Sequence, residues 1–369
     1  MPDRDFLETP ELDDFESRIR RGAQVPHQRH VAQPATHPLT IAFWVIGIIA
    51  IAVVAYTVYG SRKQQIAETK APPIALPNEL IAHASSINAM AYSPDGAYLL
   101  TGSSDHTAIL WNMKNRLPEQ YLRGPDGQVT SVAYARSGTM VATGSADGVI
   151  RLYRVPSGDI VGDFPDQGGY VESMAFSADS KSLFTTYASS VRMYDIQGDR
   201  LLRSVELPSG VAHAVGVSKD GLTLAVTSGS ELCLYDLPAL KLVARLQGHS
   251  LDAMTLAFSP DGKRVVTGGD DKRVVLWDVA GRKQITTLRG HSGKVRVVTF
   301  DPKGDKFLTG GRDGLVITWS ARDGKQLKTD DSRNTIVNAI AVSPDSQWTA
   351  VGGVEERVTL LESDKPQTP

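Results

Sequence analysis

From about residue 74 onward the chain reads as short apolar runs rich in β-branched residues, cut by polar turns at intervals of eight to twelve residues. Residues 253–289 show the unit. Ala-Met-Thr-Leu-Ala-Phe, Arg-Val-Val-Thr-Gly-Gly, Val-Val-Leu-Trp and Gln-Ile-Thr-Thr-Leu are separated by Ser-Pro-Asp-Gly, Asp-Asp-Lys and Ala-Gly-Arg. Such turns favour tight reversals, so the pattern predicts a four-stranded antiparallel meander. Its middle runs are almost continuously apolar, as expected of strands covered on both faces, whereas a one-sided sheet would alternate strictly.

The unit repeats. Equivalent strand ends fall at Trp111, Tyr153, Tyr194, Tyr235, Trp277, Trp319 and Leu361, with gaps of 42, 41, 41, 42, 42 and 42 residues. A period near 40 residues with four strands per unit predicts an all-β propeller of seven sheets arranged radially. After Leu361 too few residues remain for a further strand, while 74–82 runs into His83 as 241–248 runs into His249, with Leu80 matching Leu246 and Leu288. Residues 74–82 are therefore expected to supply the outer strand of blade seven, closing the ring.

Three repeats carry a fixed internal spacing, His then Asp 22 residues later and Trp 6 beyond it: His83, Asp105, Trp111; His249, Asp271, Trp277; His291, Asp313, Trp319. With Thr101, Thr267 and Thr309 between them, and with Gly248-His249, Phe258-Ser-Pro-Asp-Gly and Trp277-Asp278, these segments resemble the WD40 family. The resemblance covers about residues 74–362. It implies a seven-bladed propeller in which the His, Thr, Asp and Trp of a blade form a structural hydrogen-bonded tetrad. Repeat two keeps Asp147 but has Tyr153 and no His; repeats three and four show Ala188 and Gly229 in place of the Asp, and repeat seven Glu355. Those four blades rest on hydrophobic pattern.

Upstream, 39–59 contains no charge, and its 21 residues as helix reach about 31 Å, the thickness of a bilayer core. Phe43, Trp44, Tyr56 and Tyr59 lie where aromatic belts form, and Arg62 and Lys63 follow. A transmembrane helix is expected, retained as an anchor because it begins too late and runs too long for a cleaved signal. Residues 1–38, acidic then basic and proline-rich, read as a disordered tail; 60–73 as a linker; 363–369 as a polar end. Positive charge is nearly balanced across the span. A single N-terminal anchor favours the tail inside and the propeller on the extracytoplasmic side, with the cytoplasmic arrangement left open. The expected molecule is a single-pass, membrane-anchored propeller of bacterial style.

The 39 basic and 41 acidic residues, net charge −2, provide no broad field for nucleic acid. A His, Thr and Asp repeated in three blades argues against catalysis, which needs one copy at a cleft with an oxyanion donor. No phosphate loop or metal-ligand spacing occurs, so neither cofactor nor enzymatic activity is expected. The alternative is a ligand-sensing or enzymatic propeller; sialidase-type and quinone-dependent propellers fit its repeats poorly. Cys233 reads as a packing residue.

What remains is a protein-binding surface. Partner contacts in the family cluster on the face made by loops between blades and between second and third strands. On this chain that picks out Lys294, Arg296 and Arg312, with Asp252, Met254 and Asp270, and Tyr170 and Glu172. The three basic residues are expected to converge on a patch suited to an acidic or phosphorylated segment. The reading is an interaction scaffold, or an accessory subunit of a membrane-associated complex.

Overall fold

The computed structural model describes residues 78–363 apart from 124–125, 166–168 and 333. The expected tail, the 39–59 membrane span, the linker, residues 74–77 and 364–369 lie outside the described residues. Within them no helix is long and apolar enough to cross a membrane.

The described chain forms seven four-stranded antiparallel sheets, a seven-bladed propeller. Six blades are plain meanders, at 87–123, 129–165, 173–206, 215–247, 253–289 and 295–331. Blade seven takes three strands from 337–362 and its outermost strand, Glu79–Ile81, from the other end of the ring. Leu80 lies opposite Val358 and is 2% exposed, so the seam is both hydrogen-bonded and packed. The four runs of blade five form strands at Ala253–Phe258, Arg264–Gly269, Arg273–Asp278 and Lys283–Arg289.

Second and third strands are almost wholly buried, and the apolar core lies between neighbouring blades. The innermost strand of one blade packs against the second strand of the blade before it. Where that second strand carries glycine, a β-carbon would strike the next blade's side chain: Gly102 against Val129, Gly144 against Val171, Gly268 against Val295, Gly310 against Val337 and Gly352 against Ile87. At the same station blades three and four have Thr186 and Thr227, and the residues that follow in the next blade shrink to Ala212 and Ala253. Volume is conserved across the joints by exchanging which side is large.

One end of the ring carries the turns between first and second strands. Ser93, Ser177, Ser218, Ser259 and Ser343 each donate to an Asp two residues on, whose carboxylate also accepts a backbone N–H. At this end Arg136 of blade two reaches the blade four carbonyls of Lys219 (2.6 Å) and Ser218 (3.1 Å). The opposite end, where the innermost strands begin, carries the candidate site.

Candidate functional site: the mouth of the ring

The tetrads sit behind this mouth. In blade one His83 Nδ1 meets Asp105 at 2.8 Å, His83 Nε2 meets Thr101 Oγ1 at 2.7 Å, and Trp111 Nε1 donates to Thr101 Oγ1 at 2.9 Å. Blade five repeats this through His249, Asp271, Thr267 and Trp277 at 3.0, 2.8 and 2.9 Å. Blade six does so through His291, Asp313, Thr309 and Trp319, at 2.9, 2.7 and 2.8 Å. Burial holds the His83 pKa below its ordinary value against the pull of Asp105. The neutral ring donates from Nδ1 to the carboxylate and accepts the threonine hydroxyl at Nε2. Each aspartate also accepts the backbone N–H after its histidine, from Ala84, Ser250 and Ser292. Asp271 is held down to about 2 despite desolvation, chiefly by His249. The tetrads are saturated and offer no exposed nucleophile.

Blades without a tetrad use other devices. Asp147 accepts from Gly127 N–H at 2.9 Å, and Glu355 from Thr335 N–H at 2.8 Å, so both still tie the incoming loop. Blade four has Glu231, 4% exposed, which accepts from Ser209 (3.1 Å), Arg245 (2.9 Å) and Gln247 (2.6 Å). The arginine keeps that carboxyl below its usual range, against burial, which acts to raise it. Its Ser209 partner stands 22 residues upstream, the His-to-Asp spacing of the tetrads, so a search for any polar pair at that spacing could have found it. Cys233 is fully buried, and desolvation pushes its thiol up to about 11, which makes it inert at neutral pH.

The mouth is lined by one station repeated around the ring: Asn88, Thr130, Glu172, His213, Met254, Arg296 and Asn338, separated by 42, 42, 41, 41, 42 and 42 residues. Each follows a residue with no solvent exposure: Ile87, Val129, Val171, Ala212, Ala253, Val295 and Val337. In blades one, two, five, six and seven the station is a β-bulge. Ile87 pairs with Ser103 and Ala89 with Gly102, leaving Asn88 as the extra residue; Thr130, Met254, Arg296 and Asn338 are placed likewise. A bulge frees that side chain from the pleat and aims it at the mouth.

The ring of stations divides in two. Asn338 Nδ2 donates to Ile87 O at 3.3 Å, Asn88 Nδ2 to Val129 O at 2.9 Å, and Thr130 Oγ1 to Val171 O at 2.6 Å. Each clamp crosses to the next blade and satisfies the carbonyl just before that blade's own station. Beyond Thr130 the series stops, because a carboxylate at Glu172 and a thioether at Met254 have no proton to give. His213 stands between Glu172 and Asp252, 3.9 Å from the first and 3.7 Å from the second. Those two carboxylates raise its pKa against desolvation. Exposed Tyr170 precedes Glu172; partial burial and that carboxylate push its phenol up, while Arg296 of blade six acts in the opposite sense.

Of the residues expected to bind a partner, the structure gathers Tyr170, Glu172, Asp252, Met254 and Arg296 at this mouth through blades three to six. The basic trio is corrected in one respect. Lys294 is ion-paired with Asp270 of blade five, because the loops of blades five and six run side by side there. Arg296 and exposed Arg312 are the other two members of the expected basic patch. Sequence reasoning passed over Asn88, Thr130 and Asn338, although their even spacing with Arg296 was a usable signal. Among the described residues no group of His, Cys, Asp and Glu has the geometry to hold a metal.

Four segments match the WD domain, G-beta repeat: 75–112, 117–154, 240–278 and 282–320. These cover the three tetrad blades and blade two, so four segments of the seven-bladed ring are similar to the WD40 repeat. WD repeat-containing protein SL1-17 of Schistosoma mansoni is 30% identical over 180 residues, 48% of this chain and 60% of that protein. Human apoptotic protease-activating factor 1 is 29% identical over 115 residues, 29% of this chain and 9% of that protein. Small ribosomal subunit protein RACK1y of Oryza sativa is 25% identical over 126 residues, 34% of this chain and 37% of that protein. The chain thus spans less than two thirds of each of these relatives, all of them eukaryotic.

Proposed function

We propose that this protein is an interaction platform: a WD40 propeller tethered to a membrane by residues 39–59, with its partner seated on the mouth at blades three to six. One observation carries the reading. At a single structural station, three of seven residues are consumed by clamps between blades, while the other four present a carboxylate, an imidazole, a thioether and a guanidinium in one contiguous arc. A mixed rim of this kind, with the aromatic Tyr170 beside it, has the composition of a protein-binding surface. The RACK1y relative is by name a component of a larger assembly, which supports the same reading. The uncharged 39–59 stretch supports the tether, and a single N-terminal anchor favours an extracytoplasmic propeller and a role as an accessory subunit.

The test is affinity recovery of the full-length protein, tagged at its C-terminus, from gently solubilised membranes, with co-purifying proteins identified by mass spectrometry. A stoichiometric partner is expected, and it should be lost when Arg296→Glu and Arg312→Glu are combined. Undiminished recovery with that variant would remove the mouth as the docking face. Recovery of the protein alone would instead favour a ligand-sensing propeller. Protease protection of the C-terminal tag in intact cells reports the side of the membrane independently.

A further inference from the structure

His213 is the one station residue whose polar atoms are buried and unpaired. Neither ring nitrogen has a hydrogen-bond partner, and the side chain is 13% exposed. Glu172 approaches Nδ1 from blade three and Asp252 approaches Nε2 from blade five, at 3.9 and 3.7 Å. Its chain neighbours Ala212 and Ala214 bear no charge. These separations are too long for direct hydrogen bonds and short enough for strong electrostatic coupling. A neutral imidazole must turn a lone pair towards one of these anions, whereas a protonated ring directs an N–H at each.

The carboxylates are 29% and 53% exposed, so a ligand can reach both and touch the 13% of the imidazole side chain that remains exposed between them. With the ring neutral, they form a doubly negative pair separated by a flat aromatic surface. A compact ion does not suit that geometry, since the ring stands between the two anions. A guanidinium does: it is planar, stacks on aromatic faces, and can direct N–H groups towards carboxylates on either side. Of the basic residues at the mouth, Lys294 is already ion-paired with Asp270 of blade five.

We propose that Glu172 and Asp252 form a subsite for an arginine side chain of the protein partner, stacked on His213, and that protonated His213 is the internal cation that closes it. This rests on the platform reading and names what one part of the mouth recognises. The partner's arginine and the histidine's proton compete for the same two carboxylates, so docking is favoured at higher pH.

The experiment uses the full chain in detergent micelles with histidine rings isotopically labelled for NMR. The probe is a blocked pentapeptide containing one arginine, with its citrulline counterpart as the uncharged control. The His213 signal is identified as the one missing from His213→Gln. The arginine peptide is expected to shift that signal at pH 8 and to bind at least about tenfold more weakly at pH 5.5, as competition with one proton on a group whose pKa is raised requires. His213→Gln should bind with little dependence on pH. Glu172→Gln combined with Asp252→Asn should abolish binding at pH 8 with the Tm at that pH unchanged, and Asp252→Asn alone should weaken it. Equal binding of the citrulline peptide, wild-type binding independent of pH, or no binding of the arginine peptide would overturn the proposal. Should the peptide fail while partner recovery still depends on Arg296 and Arg312, the platform stands and the arginine subsite falls.

Discussion

Asn338, Asn88 and Thr130 on one side of the mouth, and Glu172, His213, Met254 and Arg296 on the other, occupy the same station of the same repeat. The first three spend their donors on the next blade's carbonyl, at 3.3, 2.9 and 2.6 Å. The other four carry charge, an imidazole or a thioether, and neither ring nitrogen of His213 has a hydrogen-bond partner. One arc is part of what joins the blades; the other keeps its chemistry available. At Glu172 and Met254 the side chain has no proton to give, and at Met254 the bulge matches those at Asn88 and Thr130, so there the side chain rather than the backbone makes the difference; blades three and four lack the bulge as well. A polar residue at this mouth is thus informative only after asking whether its donors are already committed.

The largest effect that can test this division comes from a group whose partners are all committed. Thr267→Val removes the hub that meets both His249 and Trp277 and should cost about 2–4 kcal/mol in urea unfolding, because two buried polar atoms lose a partner. Blade four has Val226 at the same station without a tetrad, so a cost under about 1 kcal/mol would make the tetrad ornamental in blade five as well.

Next is the clamped arc itself. Asn88→Ala should cost about 1–3 kcal/mol by stranding the Val129 carbonyl, while Met254→Ala, at the same station in the other arc, should cost less than about 1 kcal/mol. Equal costs measured by chemical denaturation would erase the distinction between the arcs.

Two histidines should then respond to pH with opposite sign. His83 has a lowered folded pKa, so the unfolded chain takes up the proton first; its contribution is present above about 6.5 and declines as pH falls below that value. His213 has a raised folded pKa, so its contribution is full below about 6.5 and is lost as pH rises through the folded value. Thermal unfolding at pH 5.5 and pH 8 should therefore show His213→Gln losing relative stability at the acidic end. A variant curve parallel to the wild type would mean that Glu172 and Asp252 do not act on the ring.

The smallest effect is expected at the ion pair that removed one charge from the basic patch. Lys294→Met should change stability by only about 0–1 kcal/mol, since both partners are partly exposed, and should leave partner recovery intact. Loss of recovery from this change alone would return Lys294 to the binding arc.

Much of the fold was legible because propeller blades are built from local contacts. The turns of Ser259 to Gly262 and the apolar runs around them specify each meander, and the closing role of Leu80 followed from matching Leu246 and Leu288. The tetrads were legible too, since their members belong to one blade and stand at fixed intervals. Less visible were relations between blades: the exchange of Gly–Val joints for Thr186–Ala212 and Thr227–Ala253, and the clamps from Asn338 round to Thr130. A residue's partner there lies one repeat away, and only the angle between sheets decides whether the two side chains meet.

The sequence by itself determined the number of blades, the four strands of each, the closing strand and the saturated His–Thr–Asp–Trp sets, because period, turn chemistry and in-blade spacing act over a few tens of residues. Only the tertiary structure decided which mouth residues are committed and which are available. Residues 172, 213 and 252 come from three successive blades, and ring geometry sets the 3.9 and 3.7 Å separations that make an imidazole and two carboxylates one electrostatic unit.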